Sequence, residues 1–219
     1  MTQHFLGEFG DFAVTVVVTG PPWYENCYIV RHRPSGDLVV VDPGGDADRI
    51  LAAVQAEGGT PREIWLTHGH PDHIGAVAAL ERTLAIPTRA SADESPVIAV
   101  AGRLSRSFTG EGLDDGPGAL RPFEGEPVLS LGGLPVKVIH TPGHTPGGVC
   151  YDFGPFTLTG DTLFRQGVGR TDLPGGDEDT LVASISRLLG LVADDTLLCA
   201  GHGPAWPAAE ARRWWQAMA

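Results

Sequence analysis

The sequence predicts a mixed α/β chain with two sheets covered by helices. Three observations predict it. Short Val- and Ile-rich runs bounded by Gly and Pro recur in both halves of the chain. Stretches with helical spacing lie between them. And 42% hydrophobic against 19% charged residues, in 219, is enough for a sizeable core. The length fits a single domain over residues 1–219 with no obvious linker.

Residues 12–19, 26–31 and 38–42 read as strands. Residues 47–57 have helical spacing, with Asp46 as N-cap. Residues 64–66 form a short buried strand, and 74–83 a helix with Ile74, Val77, Ala78 and Leu80 on one face. Residues 105–127 are rich in Gly, Pro and acid. Two readings stand there: a lid or binding loop, or a disordered excursion. Strands return at 136–139, 149–153, 156–159 and 196–200, with helices at 178–189 and 208–218. Trp214 and Trp215 on the last helix either pack on the core or make a subunit contact, so a monomer or a homodimer is expected.

Charge and cysteines narrow the function classes. The formal net charge is -12, which argues against a nucleic-acid partner. No apolar run is long enough to span a membrane, and residues 12–18 lack the flanks of a signal peptide. Cys27, Cys150 and Cys199 are sparse, odd in number and form no CxxC, as expected of buried thiols in the cytoplasm.

Residues 67–75 read THGHPDHIG, three histidines and an aspartate within six positions, in a chain with 8 His. They lie between a strand and a helix, where a rigid scaffold exposes functional groups. In a turning loop His68 and His70 aim at one point, and Asp72 and His73, opening the helix, at a neighbouring one. Imidazole and carboxylate together suit Zn, Fe or Mn. His144 in TPGHTPGG, Asp161 in LTGD and His202 in CAGHGP also follow strands. Five histidines and two aspartates make the donor count for two metals. His140 reads as packed or behind the donors, and His4 and His32 as surface.

These motifs, in this order, resemble the metallo-β-lactamase-fold hydrolases from about residue 26 to 204. The resemblance implies a four-layer αββα sandwich with metals at one edge. Within that family the chain is similar to the short bacterial branch of the glyoxalase II group, through NCYIV, VVDPGG, TPGHTPG, GDTLF, GRTDLPGGD and GHGP. Carried over, His68, His70 and His144 hold one metal. Asp72, His73 and His202 hold the second, and Asp161 bridges them. Asp72 and Asp161 are then also the catalytic carboxylates. Asp42 matches a buried acid behind the site. Arg170 matches a basic residue near the substrate carboxylate. The implied cofactors are two divalent ions, zinc first and iron or manganese next. The implied substrate is a small-molecule thioester such as S-lactoylglutathione. The helical domain that follows this fold in full-length glyoxalase II is not expected here.

The same motifs resemble a sulfur (persulfide) dioxygenase with one Fe(II) on His68, His144 and Asp161. Its usual Cys before GRTD is Val168 here, which favours the hydrolase. A lactonase, β-lactamase or nuclease of the same fold comes after these.

Overall fold

The computed structural model describes residues 3–113 and 116–218. The first half runs β1 (Gln3–Phe9), β2 (Phe12–Val18), β3 (Asn26–His32), β4 (Asp37–Val41), α1 (Ala47–Glu57), β5 (Thr60–Trp65), α2 (Pro71–Ile74), α3 (Val77–Leu84), β6 (Thr88–Ser91), α4 (Ser95–Thr109) and β7 (Leu120–Phe123). The second half runs β8 (Val128–Leu131), β9 (Leu134–His140), β10 (Val149–Asp152), β11 (Phe156–Gly160), β12 (Leu163–Phe164), β13 (Gly167–Val168), α5 (Glu178–Leu191), β14 (Leu197–Ala200), β15 (Trp206–Pro207) and α6 (Ala208–Met218). Strands β1 to β7 pair in chain order as one sheet. The second sheet has the order β15-β14-β11-β10-β9-β8, and β12 and β13 form a small hairpin.

Strand alternation builds the layers. On β3, Tyr28 and Val30 face the core between the sheets, together with Trp65, Val138, Tyr151 and Phe156. Cys27 and Ile29, the intervening residues, face outward with Val40 and Ile64 under Ile50 and Val54 of α1, Val77 and Leu80 of α3, and Ala101 of α4. On the second sheet Ile139, Cys150 and Leu198 face outward under Leu181, Ile185 and Leu188 of α5 and Ala211 of α6. Helix, sheet, sheet, helix is the αββα sandwich. Both faces of the central strands are covered, so β2, β3, β4, β10 and β11 read as nearly continuous apolar runs.

Several elements differ from the sequence reading. The helix expected over 74–83 is two pieces, α2 and α3. Asp46 occupies the N-cap position of α1 but makes no capping bond, because its carboxylate pairs with Arg49 at 2.7 Å. The expected 105–127 loop is shorter: α4 runs to Thr109 and β7 occupies Leu120–Phe123. Asp114 and Asp115 of that stretch lie outside the described residues. Among the described residues, no helix is long and apolar enough to cross a membrane.

Topology places the functional loops. β4, β5 and β6 run parallel, so their carboxyl ends share one edge. β11 and β14 run parallel in the other sheet. Asp42 follows β4, His68 follows β5, His144 follows β9, Asp161 follows β11, and His202 follows β14. Hydrogen bonds tie the two sheets together at this edge. Tyr28 Oη donates to the Ala200 carbonyl at 2.7 Å, Tyr151 Oη to Leu66 at 2.7 Å, and Val149 N to Thr67 at 2.9 Å.

Candidate metal centre

Pro71 at the first position of α2 has no N–H to lose there, and its fixed φ starts the turn. His70, just before it, stays extended and points back to His68. Asp72 and His73, inside the turn, reach towards His202, although the His73 ring also lies against that of His68, with centroids 4.0 Å apart. One loop therefore serves two points.

At the first point His144 Nε2 lies 2.9 Å from His70 Nδ1 and 3.2 Å from His68 Nε2. At the second, His202 Nε2 lies 3.2 Å and His73 Nε2 3.8 Å from Asp72 Oδ2. Each trio has its donor atoms within 4.8 Å of one another. Asp161 stands between them, with Oδ2 3.7 Å from His144 Nε2 and 3.6 Å from His202 Nε2, and Oδ1 3.3 Å from His73 Nε2. All seven sequence-predicted donors thus come together.

The far side of the imidazoles is held. His144 Nδ1 lies 2.7 Å from the Arg170 carbonyl, and His68 Nδ1 3.0 Å from Thr67 Oγ1. His73 Nδ1 lies 3.0 Å from Asp42 Oδ2. Fixing one ring nitrogen orients the other towards a metal. Asp42, His68 and His73 also form a close trio. Asp42 is nonetheless a support, because its oxygens already accept from Thr67 N at 2.7 Å and Thr67 Oγ1 at 2.6 Å. It takes a left-handed backbone, φ 51°, uncommon for a residue with a Cβ. Thr67, tying Asp42 to β5, escaped the sequence reading.

These residues fit divalent cations. His73 Nε2 and Asp161 Oδ1 are buried and face each other at 3.3 Å without a well-formed hydrogen bond. Such atoms are costly to bury unless something binds them. Gly201 keeps the space open: a Cβ there would sit 2.4 Å from Asp161 Oδ1 and 2.6 Å from His73 Cε1.

The two trios differ in charge. Burial and the neighbouring His144 push His70 down to about 3. Burial also lowers His68, with His73 adding to it, and lowers His144 against the pull of Asp161. In the second trio burial opposes every charge and loses. The Asp161 and Asp72 carboxylates hold His73 well above its ordinary value, and the Asp72 bond raises His202. Asp161 and Asp72 are lowered, chiefly by His73, although burial would raise them.

Glu94 is the residue sequence reasoning missed. It is buried, and its two oxygens accept from Gly69 N at 2.7 Å and Gly147 N at 2.8 Å. Gly69 lies between His68 and His70, and Gly147 lies in the His144 loop. No motif marks Glu94; a buried acid before Ser95-Pro96 was the one available hint. Glu25 was missed too. It is fully buried, it bridges to His202 through the backbone, and burial raises its pKa well above the carboxylate range.

Arg170 lines the cavity above the donors, but its Nε and Nη2 donate to Asp172 at 2.7 and 2.8 Å. His140 is half-buried with Nε2 3.1 Å from the Pro146 carbonyl. His32, expected at the surface, is 6% exposed. It shares the inward face of β3 with Tyr28 and Val30, and its Nδ1 bonds Ser35 at 2.8 Å. Trp214 and Trp215 pack partly buried against the outer cluster of the second sheet. The three cysteines are buried and free.

Comparison with known proteins agrees with this geometry. The family model described as the Metallo-beta-lactamase superfamily matches residues 20–202. The hydroxyacylglutathione hydrolase GloC of Haemophilus influenzae is 34% identical over 185 residues, covering 82% of this chain and 85% of that protein. The crystal structure of BLEG-1 B3 metallo-beta-lactamase superposes with a TM-score of 0.82 at 35% identity, covering 91% of this chain and 96% of the other. That of TTHA1623 in a di-iron-bound form gives 0.81 at 38%, covering 90% and 96%.

Proposed function

The chain belongs to the metallo-beta-lactamase superfamily, and from that premise we propose that it is a binuclear metal-dependent hydrolase that cleaves thioesters. The observation that carries the binuclear reading is Asp161, one carboxylate within 3.7 Å of histidine donors in both trios. His68, His70 and His144 would hold one ion, and Asp72, His73 and His202 the other. The similarity to GloC supports the thioester.

When bound, divalent ions polarise a carbonyl and make water nucleophilic at neutral pH. The chain's own residues do the rest. Asp161 fixes the spacing of the two trios. Asp72 accepts from His202 and, as a carboxylate beside the reacting centre, orients the attacking water. Asp42 holds the His73 ring. A departing thiol has an ordinary pKa of about 8.5 and needs little help from a general acid. No cysteine competes as nucleophile: burial pushes Cys150 up to about 11 and Cys199 up to about 12, and raises Cys27 well above its ordinary value. Imidazole with carboxylate accepts zinc, iron or manganese. Zinc is our assignment, and the di-iron form of the 38% identical relative supports iron as the alternative.

The test is elemental analysis of protein purified without added metal, followed by a thioester panel. Close to two metals per chain with thioester turnover is the expected result. One iron per chain and no turnover would sink the reading. The B3 metallo-beta-lactamase relative supports a second one, lactam hydrolysis by the same centre. Nitrocefin turnover exceeding thioester turnover would select it.

A further inference from the structure

Above the donors lies a cavity of about 330 Å³, at the small end for ligand sites. Apart from the donors its walls are almost entirely apolar: Trp23, Leu104, Phe108, Phe164, Val168 and Leu173. They come from segments far apart in the chain. The Trp23 ring, between β2 and β3, meets Phe108 near the end of α4 edge-on, with centroids 5.5 Å apart. The Arg170 guanidinium, beyond β13, lies 5.6 Å over the same Phe108 ring. Phe164 stands edge-on to His202 at 5.8 Å. The result is an aromatic vault over the metal donors.

The vault offers little to a charged substrate. Setting the metal-donor histidines aside, Arg170 is its one cationic side chain among the described lining residues, and Asp172 occupies that guanidinium through two hydrogen bonds. A carboxylate entering the vault would have to compete with Asp172 for the Nε–Nη2 edge or settle for the Nη1 side. An uncharged apolar group would instead cover aromatic surface and exclude water from the donors.

Resting on the thioester reading, we propose that the centre selects thioesters whose arm in the vault is uncharged and apolar over those carrying carboxylates. Phe108 sets that preference, and Asp172 maintains it by sequestering Arg170. Phe108 is 43% exposed, so its side chain is available to a ligand, and it belongs to none of the buried core clusters.

The test uses the metal-loaded full chain and four substrates: acetyl and phenylacetyl thioesters, each on N-acetylcysteamine and on glutathione. This separates charge on the thiol from apolar area on the acyl group. We expect kcat/KM to favour the uncharged carrier by ~10-fold or more, and phenylacetyl over acetyl by a similar factor. Phe108→Ala should shrink the phenylacetyl advantage several-fold, mainly through KM. Asp172→Asn should raise kcat/KM for the glutathione esters relative to the uncharged ones. Preference for glutathione esters in the wild type, lost in Arg170→Ala, would overturn the proposal. If all four esters are inert with both metals present, the thioester reading fails by itself. Calorimetric binding of benzyl mercaptan against glutathione then decides the vault. Tighter benzyl mercaptan sustains it, and tighter glutathione overturns it.

Discussion

The two donor trios share one loop and one bridging carboxylate, yet the proton affinities of their imidazoles are shifted in opposite directions. His68, His70 and His144 are held neutral by burial and by one another, with His70 at about 3. Asp72, His73 and His202 form a cluster with Asp161, in which the carboxylates raise the imidazoles and the imidazoles lower the carboxylates. The first trio can take a cation without losing a proton. In the second, a cation competes with protons that the imidazoles hold more tightly than usual. Neighbouring ligand sets need not load alike, because an acid among imidazoles changes what each imidazole is worth as a base.

The largest expected effect comes from removing what the trios share. Asp161→Ala should lower kcat by ~10³-fold or more, because both trios lose a donor and His73 is left buried without its chief partner. Turnover of a variant whose metal content has been checked tests this. Retention of most of the rate would break the bridged arrangement.

The next effect separates the trios by pH. His73 and His202 are raised above 6.5, so in the range around pH 6.5 a metal entering the second trio must expel up to two protons. Its affinity should fall as pH falls, by up to ~100-fold per unit. The first trio's imidazoles are lowered and already proton-free in that window, so its affinity should change little. Calorimetry in buffers of different ionisation enthalpy counts the protons released by each equivalent. Equal release by both equivalents would remove the distinction.

Two variants sharpen the comparison further. Glu94→Gln places an amide N–H against one of two backbone donors and should cost about 1–3 kcal/mol. Since Glu94 links the His68/His70 loop to the His144 loop, the loss should appear as weaker first-equivalent binding in a chelator competition, with the second equivalent spared. Tyr28→Phe removes the hydrogen bond to Ala200, two residues before His202. It should weaken the second equivalent alone, by about 1 kcal/mol. Crossed effects would show that the trios are coupled through the scaffold.

Much of the centre was legible because its donors are local. Three histidines and an aspartate fit in one strand-to-helix turn, and His144, Asp161 and His202 each follow a strand with Gly or Pro beside them. The supports were hidden because contact with them depends on the fold. Glu94 meets Gly69 and Gly147 across 25 and 53 residues. Helix α4 was missed although Pro96 opens it, because Gly102 interrupts its pattern and the Gly-rich stretch that follows drew its last turn into a loop. β1 was missed because Gly7 sits at a register shift in its pairing with β2. His32 was misplaced because polarity was weighed above its position on the inward face of β3. Arg170 shows the same limit: a motif locates a cation but does not reveal that Asp172, two residues on, already holds it.

Each trio draws two donors from the loop after β5 in one sheet and one donor from a loop of the other sheet. A cation in either place would be a rivet through the sandwich, clamping two layers that otherwise meet through side-chain packing and a few edge hydrogen bonds. Prising the sheets apart would pull the donors apart first. Loading the centre and locking the two layers together would then be one mechanical event.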